Sequence, residues 1–323
     1  MSSLRNSLVC LLIVAILVIF YQNTLSYNEA YSQKTDLKYV KHIGVKGIEK
    51  GQFTYPHSLA VDKFGNIFVG DTGNKRVQKF SPDGTFMLSW GSEGNKSGQF
   101  MGLHDVSVDP EGKYVFTVEL KNHRVQKFYP NGSFIAKWEY NGTGGRDVDR
   151  APHQIAVNSL GNVYLTDSKS NQLLKYHDNG TFIGTIGSQG TDPGKFNTPH
   201  GIAFDPSNNM YITDMKNYRI QVFDSNDSFI RQWKFSGGAD NFSETVPGIA
   251  VDDKSRVYIV DKINARVQAF DNEGNHLSGW GTDGSGPQQL HKPEDIAVSN
   301  EGIIYVTDTR NSRVQVLQID DMD

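Results

Sequence analysis

Residues 51–80 read GQFTYPHSLAVDKFGNIFVGDTGNKRVQKF, and the phrase returns as GQFMGLHDVSVDPEGKYVFTVELKNHRVQKF from Gly98 and as GKFNTPHGIAFDPSNNMYITDMKNYRIQVF from Gly194. The acidic residue midway through each copy falls at Asp71, Glu119, Asp167, Asp214, Asp261 and Asp308, so the steps are 48, 48, 47, 47 and 47 residues. Periods of that size mark solenoids or propellers. Within the first copy, short apolar runs at 58–62, 67–71, 76–80 and 85–90 are separated by turns that carry Gly65 and Pro82-Asp83-Gly84. Four short strands joined by glycine-bearing turns form a meander, and a repeated four-stranded meander is a propeller blade.

Six copies therefore predict an all-β, six-bladed β-propeller. The last copy holds only three strand-like runs, at 295–299, 302–308 and 313–317, and lacks an outer strand ending in an apolar residue and Gly like Trp90-Gly91. YVKHIG at 39–44 fits that slot, so the amino-terminal strand is expected to close the last blade and remove an open sheet edge.

Composition bounds the function. The 323 residues carry a formal charge of −4 and no run of like charges, so no nucleic-acid partner is expected. Residues 8–20 are thirteen consecutive apolar positions behind Arg5, the length of an export signal and short for a spanning helix. The expected organisation is a signal peptide or membrane anchor over 1–26, with a short apolar helix, then a tether over 27–37 and a monomeric propeller over 38–323, secreted or held at the membrane outside the cytoplasm. Six Asn-x-Ser/Thr triplets, at Asn95, Asn131, Asn141, Asn179, Asn226 and Asn241, agree with export and glycosylation, and the one cysteine, Cys10, lies inside the apolar run.

Strand direction alternates, so the loop entering the first strand and the loop between strands two and three share one face, here the top face. Asn131, Asn179 and Asn226 fall on the opposite one. The strand-end acid and an Arg five residues later recur in five blades, with Gln172 the exception, which reads as a repeated structural ion pair; Trp90, Trp138, Trp233 and Trp280 read as packing anchors between blades. The position before the first strand reads His57, His104, His153, His200, Gly248 and Glu294. Alternate blades make two triangles, one incomplete and one of His104, His200 and Glu294. Two imidazoles and a carboxylate suit a divalent metal, zinc first and calcium second, so His57, His104, His153, His200 and Glu294 are the candidate ligands. The other reading is a structural ring that starts each inner strand.

The pattern PHxIAVDxxGNVYVTDxxNxRVQKF resembles the NHL repeat over residues 38–320, which implies a six-bladed propeller and leaves function open. Among propellers of this repeat, the Pro-His segments are similar to those of the peptidylamidoglycolate lyase family. That resemblance implies zinc on His from alternate blades, with a Tyr and Arg side chains acting on a hydroxyglycine substrate. The positions after the strand-end acid are Thr72, Leu120, Ser168, Met215, Lys262 and Thr309, with no Arg, and Tyr218 is displaced from the family's Tyr. A lactonase-like hydrolase would need acids at the axis, for which only Glu294 and Glu119 present themselves. The binding-module alternative places a protein, peptide or glycan on the top face, with Arg146, Asp147, Asp149 and Arg150 of the atypical loop before blade three as candidate contacts. No residue pattern establishes turnover.

Overall fold

The computed structural model describes residues 35–140, 152–234 and 246–321. Six four-stranded antiparallel sheets follow one another along the chain. The first blade comprises Pro56–Val61, Ile67–Asp71, Arg76–Phe80 and Phe86–Trp90, innermost to outermost. In the sixth, Ile296–Val298, Ile303–Asp308 and Arg313–Asp321 are completed by Thr35–Ile43, which pairs antiparallel with the long third strand.

The closing strand is longer than YVKHIG alone suggests. It begins at Thr35, within the expected tether, and pairs from Thr35 opposite Asp321 to Ile43 opposite Val314, with one bulge between Tyr39 and Lys41. Leu37 and Ile43 are buried, so the ring closes by core packing as well as by hydrogen bonds. The apolar run, Cys10 and the signal or anchor segment lie outside the described residues.

Burial explains the strand patterns. The second strand lies between neighbouring blades on both faces, and Ile67–Asp71 is buried at every position; the outermost Phe86–Trp90 alternates between half-buried and exposed residues. The tryptophans do anchor blade to blade. Trp90 lies 5.8 Å from the Phe128 ring of the next blade and covers Gly132 (φ +85°), where a Cβ would come within 2.9 Å of the indole. Trp138 repeats this on Tyr176 and Gly180.

The recurrent acid and Arg form the structural pair that the repeats suggest. Glu119 is fully buried, and Arg124 donates from Nε to its Oε1 at 2.6 Å and from the guanidinium to the carbonyls of Asn95 and Gln99. The pair ties the second strand to the loop arriving from the preceding blade. Glu119 is thus consumed at a strand end and does not serve as the axial acid considered above. Blade three lacks this clasp. Gln172 stands in the Arg position, Ser170 replaces the Asn that supports the acid elsewhere, and Asp167 Oδ2 is buried with no hydrogen-bond partner among the described residues.

Candidate functional site

The histidine register falls at the start of the innermost strands. Strand pairing slips between Pro56 and Ser58, between Leu103 and Asp105, and between Pro199 and Ile202, so His57, His104 and His200 occupy bulges. A bulge re-aims one side chain out of the sheet, and here the imidazoles turn toward the propeller axis. The rings follow one another around it: His57 and His104 lie 4.2 Å apart between centroids, His104 and His153 5.2 Å, and His153 and His200 4.1 Å in a stack.

Three of the four imidazoles lean on the following blade, while His153 Nδ1 is buried with no hydrogen-bond partner among the described residues. Nδ1–H of His57 donates to the carbonyl of His104 (2.9 Å), that of His104 to His153 (2.8 Å) and that of His200 to Pro247 (3.0 Å). A carbonyl accepts only from N–H, so in these three the other ring nitrogen, Nε2, keeps its lone pair. Burial pushes the His57 ring down to about 4, helped by the Lys262 ammonium, and takes His153 to about 3 with His104 as the next cause. His104 and His200 are held well below the usual histidine range, first by burial and then by neighbouring imidazoles. The ring is neutral at pH 7.

Glu294 reaches this ring from blade six. Its Oε2 is 3.9 Å from His57 Nε2, while Oε1 accepts from the Lys262 ammonium of blade five. Burial raises the Glu294 carboxyl against the opposing pull of Lys262. The tautomers suit a metal ion, but the donor set does not: its one carboxylate is already neutralised by a lysine. Among the described residues, no group of three or more His, Cys, Asp or Glu is arranged to hold a metal ion. The five nominated ligands thus meet at one mouth without forming a coordination cage.

Directly below, the residue after the register position joins adjacent blades in blades two, three and six. Asp105 Oδ2 accepts from Ile155 N–H, Gln154 Oε1 from Ile202 N–H and Asp295 Oδ2 from Leu59 N–H, and Gln154 Nε2 also donates to Asp295 Oδ1 at 2.8 Å. These side chains satisfy inward-facing strand-edge donors that no further strand can reach. Burial lifts Asp295 to about 7, and burial together with the Asp295 charge raises Asp105 well above the carboxylate range. The chamber between these groups and the imidazoles is only about 10 Å³. On the far side a funnel of about 440 Å³ opens on the opposite face, lined by Ala60, Ala156, Ala203, Ala250 and Ala297. Large imidazoles plug the axis above, and small alanines leave it open below.

Arg146, Asp147, Asp149 and Arg150 lie outside the described residues, as do Asn141 and Asn241. Asn131, Asn179 and Asn226 are exposed in the turns between strands three and four. One feature of the top face was missed in the sequence. Each loop between strands two and three carries a cation, Lys75, Lys121, Lys169, Lys216, Lys262 or Arg310. The offset from the strand-end acid drifts from one to four residues, so a comparison of single columns overlooks them; counting Lys and Arg per loop would have found them.

A family model described as NHL repeat matches residues 53–80 and 290–317, and one described as 6-bladed beta-propeller matches 150–245. The chain is a six-bladed propeller of NHL repeats. This NHL propeller is 35% identical over 78 residues to human NHL repeat-containing protein 3, a match covering 24% of this chain and 21% of that protein. It is 35% identical over 83 residues to protein brain tumor of Drosophila melanogaster, covering 24% and 8%. Over 71 residues it is 37% identical to peptidyl-glycine alpha-amidating monooxygenase A of Xenopus laevis, covering 20% and 8%, which matches the partial likeness of the Pro-His segments. The chain therefore spans about a fifth or less of these relatives' lengths. Solved structures of the same fold include a streptogramin B lyase (TM-score 0.58, 11% identity, covering 88% of this chain and 98% of that one) and a gluconolactonase from Xanthomonas campestris (TM-score 0.60, 14% identity, 87% and 96%).

Proposed function

We propose that this NHL propeller is a binding module, with its top face taking a protein or peptide partner. The observation that carries the reading is the state of the axial mouth. Three imidazoles spend Nδ1–H on the next blade, burial keeps the ring neutral, and Glu294 is matched by Lys262. Acid–base chemistry needs a group poised to exchange a proton near neutral pH, and metal chemistry needs an open coordination position. At the mouth Glu294 is matched by Lys262, the one group lifted to about 7, Asp295, is buried beneath the imidazoles and bonded to Leu59 N–H and Gln154, and the residual chamber of about 10 Å³ is too small for a substrate.

NHL propellers generally bind proteins, which agrees with this reading. The apolar run at 8–20 supports export, so the partner is sought outside the cytoplasm. The test is an assay of the purified full-length protein, with and without added zinc or calcium, on a peptidyl-hydroxyglycine and on gluconolactone. A binding module leaves both at the buffer rate. Saturable turnover lost in His104→Ala would replace this reading with an enzymatic one.

A further inference from the structure

We infer that the partner docks an acidic segment of polypeptide onto the ring of cations around the axial mouth; this rests on the top-face reading above. Six loops each place one basic residue on the same face: Lys75, Lys121, Lys169, Lys216, Lys262 and Arg310. Sixfold repetition of the blade turns one cation per loop into a closed circle. Lys121, Lys216 and Arg310 are exposed, and the other three are half-buried.

Among the described residues, the inner face has few exposed carboxylates to offset this circle. The strand-end acids of these loops are buried, five of them against their own Arg. Glu294 is ion-paired with Lys262, and Arg310 and Lys292 also feel its charge. Lys75 donates to the backbone carbonyls of Thr72 and Gly73 and Arg310 lies over the Tyr55 ring at 5.2 Å, so among the described residues neither is held in a direct ion pair with a carboxylate. A same-sign ring over low-dielectric walls concentrates its field at the centre and draws in an anion.

Two observations favour a short acidic peptide over a nucleic acid. In the loops that join the blades the exposed carboxylates, among them Glu49, Glu93 and Asp283, are balanced by exposed Lys46, Lys50 and Lys96, so the rim extends no basic track for a phosphate backbone crossing the disc. A stretch of Asp or Glu can end inside the ring; a polynucleotide must leave across its rim. Exposed Tyr55, Tyr218 and Ile263 lie among the cations and offer apolar contact to side chains beside the partner's acids.

The test is fluorescence anisotropy on the full-length protein with a fluorescein-labelled peptide of alternating Glu and Leu, beside a Lys and Leu peptide and an oligouridylate. The variants are Lys121→Glu with Lys216→Glu on the ring, and Lys113→Glu on the opposite face. All three side chains are exposed, so the fold is expected to survive, as thermal melting will report. The expected result is salt-sensitive binding of the acidic peptide, weakened at least about fivefold by the double reversal and unchanged by Lys113→Glu. No binding of the acidic peptide, or tighter binding of the oligouridylate with the same dependence on the ring, overturns the acidic-peptide inference. Binding of the basic peptide, strengthened by the reversal, overturns it too but leaves the top face as the binding surface. Binding that responds only to Lys113→Glu overturns the top-face reading itself.

Discussion

The Lys262 ammonium is ion-paired with the Glu294 carboxylate at the mouth of the propeller axis, and His57 Nε2 stands 3.9 Å from the second oxygen of the same carboxylate. A lysine from blade five thus supplies the positive charge that neutral imidazoles and a carboxylate would otherwise draw from a metal ion. Lys262→Met removes the ammonium paired with Glu294 beside four imidazoles, and the variant is expected to bind about one equivalent of zinc more tightly than the native protein. Titration calorimetry with zinc alone reads this out. Stoichiometric uptake by the native protein, lost in His104→Ala, would show that zinc displaces the lysine.

Two groups on the axis give the stability opposite pH slopes. The folded His57 titrates at about 4 against an ordinary 6.5, so the native state binds fewer protons than the unfolded chain in that window, and its contribution is lost as pH falls. Asp295 titrates at about 7 against 3.8, so the native state binds more protons there, and its contribution is lost as pH rises. His57→Gln should flatten the fall in stability between pH 6.5 and 4 by about 1.4 kcal/mol per pH unit, and Asp295→Asn should remove the reverse slope. Urea midpoints at pH 5 and pH 7 decide it; a change of the same sign in both variants would rule out this assignment.

Blade three has a vacancy that the other blades fill. Asp167 Oδ2 is buried without a hydrogen-bond partner among the described residues, and Gln172 occupies the Arg position. Gln172→Arg is expected to stabilise the fold by about 1–2 kcal/mol by supplying a charged hydrogen bond. Arg124→Ala, which strips a complete clasp and leaves Glu119 buried and unpaired, is expected to cost about 3–5 kcal/mol. Chemical denaturation of the two variants side by side tests the pair.

Ring closure depends on the amino-terminal strand, and Leu37 contributes to its buried side. Leu37→Ala should destabilise the whole propeller by about 2–4 kcal/mol in a single transition. A two-step melt, in which blade six frays first, would mean that closure is not coupled to the rest of the ring.

What the sequence by itself determined is the architecture. The interval between Asp71 and its five equivalents, the Gly-bearing turns and the truncated sixth copy led to six blades and to a closing strand at the amino terminus. Such features are local and repeated, so each copy restates the last. The convergence of His57, His104, His153, His200 and Glu294 on one mouth was also legible, because a fixed register in every blade maps to a fixed radius. What these residues do there was not. Pairing of Glu294 with Lys262, donation of three Nδ1–H groups to the next blade's carbonyl and the cation circle join residues on different blades. Neighbouring blades stand side by side only once the ring has closed, so contacts between them, and the charge and tautomer they impose, belong to the tertiary structure.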